Sequence, residues 1–184
     1  MPAQGATAQI GFGWQVRPAG KAGWSAVFLQ LTGFRADGDT SSPRMTLGRT
    51  RFETELTVRP DDIDMNQHVH SSRYQDYVLA ARYDQMARCY KMPMEEFIAA
   101  GLGWFVKTAH VEYKRPLIMG DSFVVRTWVD EIGGTQVKVR FEIQRKVGER
   151  LKLSCDGWFD YTMVSLKTGR AEAIPNEIIT KYSV

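Results

Sequence analysis

Four long segments in the second half of the chain, "WFVKTAHVEYKRP" (104–116), "SFVVRTWVDEI" (122–132), "TQVKVRFEIQRKV" (135–147) and "RLKLSCDGWFDYTMVSL" (150–166), alternate apolar and polar side chains and are rich in β-branched and aromatic residues. Only the turn signals "LIMGD", "GG" and "GER" separate them, and "KTG" follows the last. Connections this short cannot carry the crossover that parallel neighbours need, so the four strands are consecutive antiparallel partners. Everything after the helical part of the chain reads as strand.

Upstream, "FETELTV" alternates at Phe52, Thr54, Leu56 and Val58 as a half-buried strand does, and Pro60 ends it. The stretch "SSRYQDYVLAARYDQMARCY" then carries Tyr74, Tyr77, Val78 and Ala81 at helical spacing, with Ser71 or Ser72 as N-cap, which predicts one helix of about five turns. A shorter helix is expected over "MEEFIAA", starting after Pro93 and stopping at Gly101. The order is strand, long helix and four antiparallel strands, an α+β architecture in which a curved sheet covers the apolar face of a central helix. One helix cannot cover both faces of such a sheet. A second copy of the chain is the simplest supply, so a homo-oligomer is expected.

The 184 residues fit one domain with a sizeable core. Residues 1–44 differ from the rest, with seven glycines, two acids and no sustained periodicity beyond the run "WSAVFLQL"; they read as a flexible N-terminal extension, and 45–184 as the domain. The 24 basic and 21 acidic residues are interspersed, which gives nucleic-acid binding no support, and no window has the ~18 apolar residues of a membrane span. Cys89 and Cys155 lack the spacing of a zinc or redox pair and read as free thiols in a reducing, cytoplasmic setting.

The chemistry concentrates in "DDIDMNQHVHSS" (61–72), which holds three aspartates, an asparagine and two of the three histidines. Asp62, Asp64 and Asn66 occupy the first, third and fifth places of a calcium loop, but the sixth is Gln67 rather than glycine and the twelfth is Arg73 rather than glutamate. His68 and His70 are two imidazoles where a zinc site needs three or four ligands, and His110 lies in a strand. No metal or other cofactor is expected. Aspartate and asparagine also form turns, and Asp62 can cap or turn the chain without chemistry. Asp64, Asn66 and His68, however, stand immediately before a helix N-terminus, whose free N–H groups and positive dipole end favour developing negative charge. A carboxylate base beside an anion-stabilising helix end suits hydrolysis of a thioester.

The run "VRPDDIDMNQHVHSSRY" (58–74) resembles the signature of hotdog-fold thioesterases of the 4-hydroxybenzoyl-CoA thioesterase type, and "DIDMNQHV" is similar to the plant acyl-ACP thioesterases. The downstream "VEYKRPLIMGDSFVVRT" resembles the second recurring segment of the same superfamily, so the likeness spans residues 51 to 165. Gln67 stands where many relatives have glycine, and His70 and Ser71 stand where they have two asparagines. The plant enzymes carry two hotdog units in one chain, whereas this chain has room for one, the size of the bacterial acyl-CoA thioesterases.

The resemblance implies a single hotdog fold and an acyl-CoA thioesterase. Asp64 would be the central catalyst as general base or nucleophile, with Asn66 and His68 assisting, and backbone N–H groups of His70 and Ser71 would form the oxyanion hole. An acyl-ACP thioesterase and a non-catalytic acyl-thioester-binding protein are the alternatives; the family's assemblies imply a homodimer or homotetramer. Lys114, Arg115, Arg126, Lys138 and Arg140 are candidate contacts for a carrier phosphate, and Trp104 and Phe105 for the acyl group.

Overall fold

The computed structural model describes residues 45–46 and 50–184; the expected flexible extension over residues 1–44 lies outside them. In chain order the elements are β1 (Met45–Thr46), β2 (Phe52–Thr57), a 3₁₀ turn (Pro60–Asp62), α1 (Arg73–Arg88), α2 (Met94–Ala99), β3 (Leu102–Tyr113), β4 (Ser122–Gly133), β5 (Gln136–Val147), β6 (Arg150–Ser165) and α3 (Asn176–Tyr182). The long strands fall where alternation places them. The C-terminal helix α3 corrects the expectation of strand alone after α2: "NEIITKY" follows Pro175, is only seven residues long, and buries Ile178 and Tyr182. Two apolar contacts in two turns are too weak a period to read from sequence.

All six strands form one antiparallel sheet in the order β1-β4-β5-β6-β3, with β2 paired beside β1 along the same edge of β4. Register shifts at Val106/Thr108, Val129/Glu131 and Ile143/Gln144 interrupt the ladders, and such bulges bend a sheet. The inner face supplies Phe123, Val125, Phe141, Ile143 and Phe159, all essentially buried, against the Tyr74, Tyr77, Val78, Ala81 and Met86 stripe of α1. Helix α2 ends at Gly101, whose φ of 72° is the left-handed conformation that glycine adopts without strain.

Among the described residues strand β3 has one partner, β6, and its other edge is unpaired. Phe105, Val106 and Tyr113 on it are half-exposed. An unpaired edge on a strand of twelve residues that exposes three large apolar side chains is a surface that proteins normally cover.

Gly157 in β6 lies against β3 so closely that a Cβ there would run into the His110 backbone carbonyl, with the Phe141 ring 3.0 Å away. A carbonyl cannot turn aside as a side chain can. Gly157→Ala is therefore expected to destabilise the fold by about 3 kcal/mol or more, at the upper end of overpacking costs, and a denaturant midpoint within error of wild type would contradict the tight β3–β6 approach.

Candidate active site

The 61–72 loop is a small hairpin rather than an open turn. The Asp64 N–H donates to the His68 carbonyl (2.8 Å) and the His70 N–H to the Asp62 carbonyl (2.8 Å), flanking an antiparallel bridge between Ile63 and Val69. This register makes Asp64 and His68 cross-strand neighbours, with buried Val69 anchoring the next position to the core. The Val69 N–H reaches the Leu117 carbonyl (2.9 Å), tying the hairpin to the "PLIMGD" turn. At the hairpin tip Gln67 has a φ of 61°, a conformation glycine takes more easily.

Asp64 is half-buried; its Oδ1 accepts the Asn66 backbone N–H (2.8 Å), an Asx turn that fixes the carboxylate, while its Oδ2 has no partner among the described residues. Asn66 and His68 are exposed, and neither side chain bonds to Asp64. The structure thus brings together the backbone of all three predicted residues but leaves two of the side chains open to solvent.

Asp62, one residue before the hairpin's bridge, is 2% exposed and wholly engaged. It accepts from Arg59 Nε (2.9 Å) and from the Tyr77 hydroxyl (2.8 Å), and Arg73 Nε lies 3.3 Å away. Burial pushes the Asp62 carboxyl up, but the hydrogen bonds from Arg59 and Tyr77 and the two guanidinium charges outweigh it and hold the group below the usual carboxylate range. Burial and the adjacent Asp62 raise the Tyr77 phenol in turn. Its role is to fasten the hairpin to the first turn and the second turn of α1.

At the head of α1, the Ser72 side chain does not cap the helix; its Oγ lies 2.9 Å from His70 Nδ1, and its N–H donates to the same nitrogen (3.3 Å). The His70 N–H is committed to the Asp62 carbonyl, which removes it from the expected oxyanion pair. Among the described residues the Ser71 N–H has no acceptor. The Ser71 carbonyl accepts from the Tyr113 hydroxyl (2.8 Å), and Tyr113 packs edge-on against Tyr74 at 5.2 Å, so the peptide that follows Ser71 is held from outside the loop.

The basic residues offered for phosphate recognition are mostly spoken for. Arg126 pairs with Glu53, Lys138 with Glu131, Arg140 with Asp130, and Lys114 with Glu112 and Asp156. Arg115 donates to the Leu153 carbonyl (3.0 Å). Alternating charges on an outward strand face find one another across the ladder, and sequence alone does not show that pairing.

Between α1 and the sheet lies a mostly apolar cavity of about 250 Å³, walled by Leu79 and Met86 of α1, Trp104 and Val106 of β3, Val139 of β5 and Tyr161 of β6. Trp104, a candidate contact for the acyl group, is on this wall. Phe105 points away and is 56% exposed.

The family pattern for thioesterase-like proteins matches residues 58–181, which covers the hairpin, α1 and the whole of β3 to β6. The chain belongs to the thioesterase-like superfamily. It is a thioester hydrolase with the hotdog arrangement of one long helix against an antiparallel sheet. The long-chain acyl-CoA thioesterase FadM of Escherichia coli (strain K12) is 23% identical over 135 residues, covering 71% of this chain and 96% of FadM. A hypothetical protein of Thermus thermophilus superposes with a TM-score of 0.65 at 25% identity, over 73% of this chain and 96% of that one. A DHNA-CoA thioesterase of Staphylococcus aureus superposes with a TM-score of 0.66 at 19% identity, over 72% and 89%.

Two further features of this thioesterase-like chain were not singled out from its sequence. In the sequence Asp62 reads as a turn former or the first place of an incomplete calcium loop, and Arg82 and Gln85 belong to no motif. The usable signal was periodicity: Arg82 and Gln85 continue the stripe of Tyr74, Val78 and Ala81 into the core, where a charged and an amide side chain need partners. No helix among the described residues is long and apolar enough to cross a membrane.

Proposed function

We propose that the protein hydrolyses acyl-CoA thioesters, with Asp64 as the central catalyst. The observation that carries this reading is the Asp64 carboxylate, immobilised through Oδ1 and open at Oδ2, on a hairpin that runs directly into the N-terminus of a sixteen-residue helix. Asp64 acts on the thioester carbonyl either by taking a proton from the attacking water or by attacking the carbon itself. Either route makes a tetrahedral oxyanion, whose charge the Ser71 N–H and the positive end of α1 receive. Collapse of that intermediate breaks the C–S bond. On the water route the acid is released and the thiolate takes up the proton that Asp64 removed. On the direct route the acyl group stays on Asp64 as a mixed anhydride that a water then hydrolyses, its proton going to the thiolate. Asn66 and His68, exposed at the mouth of the hairpin, contact substrate or water rather than the carboxylate.

The carrier is CoA in this reading, because two of the relatives named above, FadM and the Staphylococcus aureus protein, are CoA thioesterases. Release of free thiol from acyl-CoAs, followed with a chromogenic disulfide, tests the reading; acyl-ACP in the same assay distinguishes the carrier.

Because the donor is the Ser71 backbone and not its hydroxyl, Ser71→Ala is expected to keep kcat/KM within a few-fold of wild type. A loss beyond about 10²-fold in the folded variant, the size of a deleted oxyanion donor, would contradict that assignment.

The open edge of β3 is the proposed contact between copies, with Phe105, Val106 and Tyr113 covered across it. Light scattering at micromolar concentration is expected to give at least a dimer. A monomer that retains full turnover would contradict the need for a second copy.

A further inference from the structure

The cavity between α1 and the sheet is mostly apolar, and Arg82 and Tyr182 line it beside one another. Arg82 is 8% exposed and lines the cavity. Among the described residues its guanidinium, which has five N–H bonds, makes one hydrogen bond, from Nη1 to Thr127 Oγ1 (3.2 Å), and pairs with no carboxylate. The rings of Tyr90 and Tyr182 stand 5.3 and 6.0 Å from the guanidinium carbon. Aromatic faces offset part of the cost of burying a cation but leave its N–H bonds free.

Tyr182 is 4% exposed, lines the same cavity, and its hydroxyl is buried with no hydrogen-bond partner. A buried polar atom left unpaired in a folded protein calls for an explanation, and the Tyr182 hydroxyl lies beside a guanidinium with unused N–H bonds that lines the same cavity. The guanidinium is also held in place. Thr127 Oγ1 donates to Gln85 Oε1 (2.5 Å), Gln85 Nε2 donates to Thr54 Oγ1 (3.2 Å), and Thr54 Oγ1 donates to Asp84 (2.6 Å). This chain turns the Thr127 lone pair toward Arg82, so the charge is positioned before any ligand arrives.

A carboxylate is the group that satisfies a guanidinium and a phenol together, since it accepts several charge-assisted hydrogen bonds at once. An alkyl end would leave both donors stranded. Arg82 lies nine residues beyond Arg73, roughly 14 Å along the axis of α1 from the end proposed to hold the thioester.

We infer that this cavity receives the far end of the acyl group and that Arg82 and Tyr182 bind a second carboxylate there, so that the preferred substrates are ω-carboxyacyl thioesters rather than methyl-terminated ones. This rests on the thioesterase reading for its kinetic consequence but not for the binding site itself. Arg82 and Tyr182 are specificity residues and take no part in the bond-breaking step.

Two experiments on the full chain test it. In the first, kcat/KM is compared for suberoyl-CoA and octanoyl-CoA with wild type, Arg82→Met and Tyr182→Phe. Wild type is expected to favour the ω-carboxyl substrate by about tenfold or more, and both variants to lose most of that ratio. Tyr182→Phe removes a single oxygen, so it reports on the site even if Arg82→Met fails to fold. A ratio near one in wild type, or a ratio unchanged in both variants, overturns the assignment of the acyl end.

In the second, octanoate and octanamide are titrated calorimetrically into the protein without CoA. Tighter binding of the acid, lost in Tyr182→Phe, supports the carboxylate site; equal affinities, or no binding of either, overturn it. If no thioester of any kind is turned over, the thioesterase reading fails, and the acid-against-amide comparison still decides the site.

Discussion

Asp64→Asn removes thioester turnover, by about 10²–10⁴-fold in kcat/KM as expected for loss of a general base, and leaves the denaturant midpoint near that of wild type. The asparagine keeps an oxygen for the Asn66 N–H, so the Asx turn that fixes position 64 survives, and only the charge and basicity are gone. Asp64→Ala loses that one hydrogen bond as well, at a cost of about 1 kcal/mol. Thiol release and a urea titration on the same preparations separate the two effects. Asn66→Ala and His68→Ala are expected to lose less, because neither side chain is bonded to the carboxylate.

The neighbouring aspartate gives the opposite result. Asp62→Ala strands the buried Tyr77 hydroxyl and leaves Arg59 and Arg73 without the oxygens they share. A loss of about 2–4 kcal/mol is expected from hydrogen bonds to a buried charge, which lowers Tm by ~2–4 °C per kcal/mol for a domain of this size. Activity falls with it, since the hairpin that carries Asp64 is no longer fastened to α1.

The pH dependence has a definite sign. The Asp62 carboxyl is held below its unfolded value of ~3.9, so its contribution is fully present above that pH and is lost as the pH falls through the lower, folded value. Between pH 5 and 8 the stability difference between wild type and Asp62→Asn should be constant, and below about pH 4 it should shrink. A difference that grew on acidification would show that Asp62 is not the anchor of the loop.

Most of the architecture was legible because its signals are local. The alternation of β3 to β6 sets both length and face, and a two-residue turn such as Gly134-Thr135 leaves an antiparallel neighbour as the only choice. Pro93 and Gly101 bracket α2 for equally local reasons. Helix α3 was missed because its place is set by what it covers: Tyr182 stacks on Tyr90 at 4.2 Å, a contact more than ninety residues away in the chain.

The candidate site was legible as a location but not as a division of labour. Three aspartates in four residues look alike in sequence, and only the fold shows Asp62 buried beneath Tyr77 while Asp64 stands open. The two recurring segments of the family also proved to be one unit. The Leu117 carbonyl and the Tyr113 hydroxyl from the second segment hold Val69 and Ser71 of the first. Arg82 escaped notice because an arginine on a helix is ordinarily solvated, and its burial follows from the curvature of a sheet that the linear sequence does not display.

The measurement that bears most directly on the central claim is thiol release by the purified protein from a panel of acyl-CoAs that differ in chain length, aromaticity and terminal group, with Asp64→Asn run alongside. Catalytic turnover of at least one acyl-CoA by wild type, abolished in Asp64→Asn with the fold intact, is the expected result. Turnover that persists in Asp64→Asn would contradict the assignment of the catalyst, and no turnover of any acyl-CoA by the folded wild type would contradict the proposed function itself.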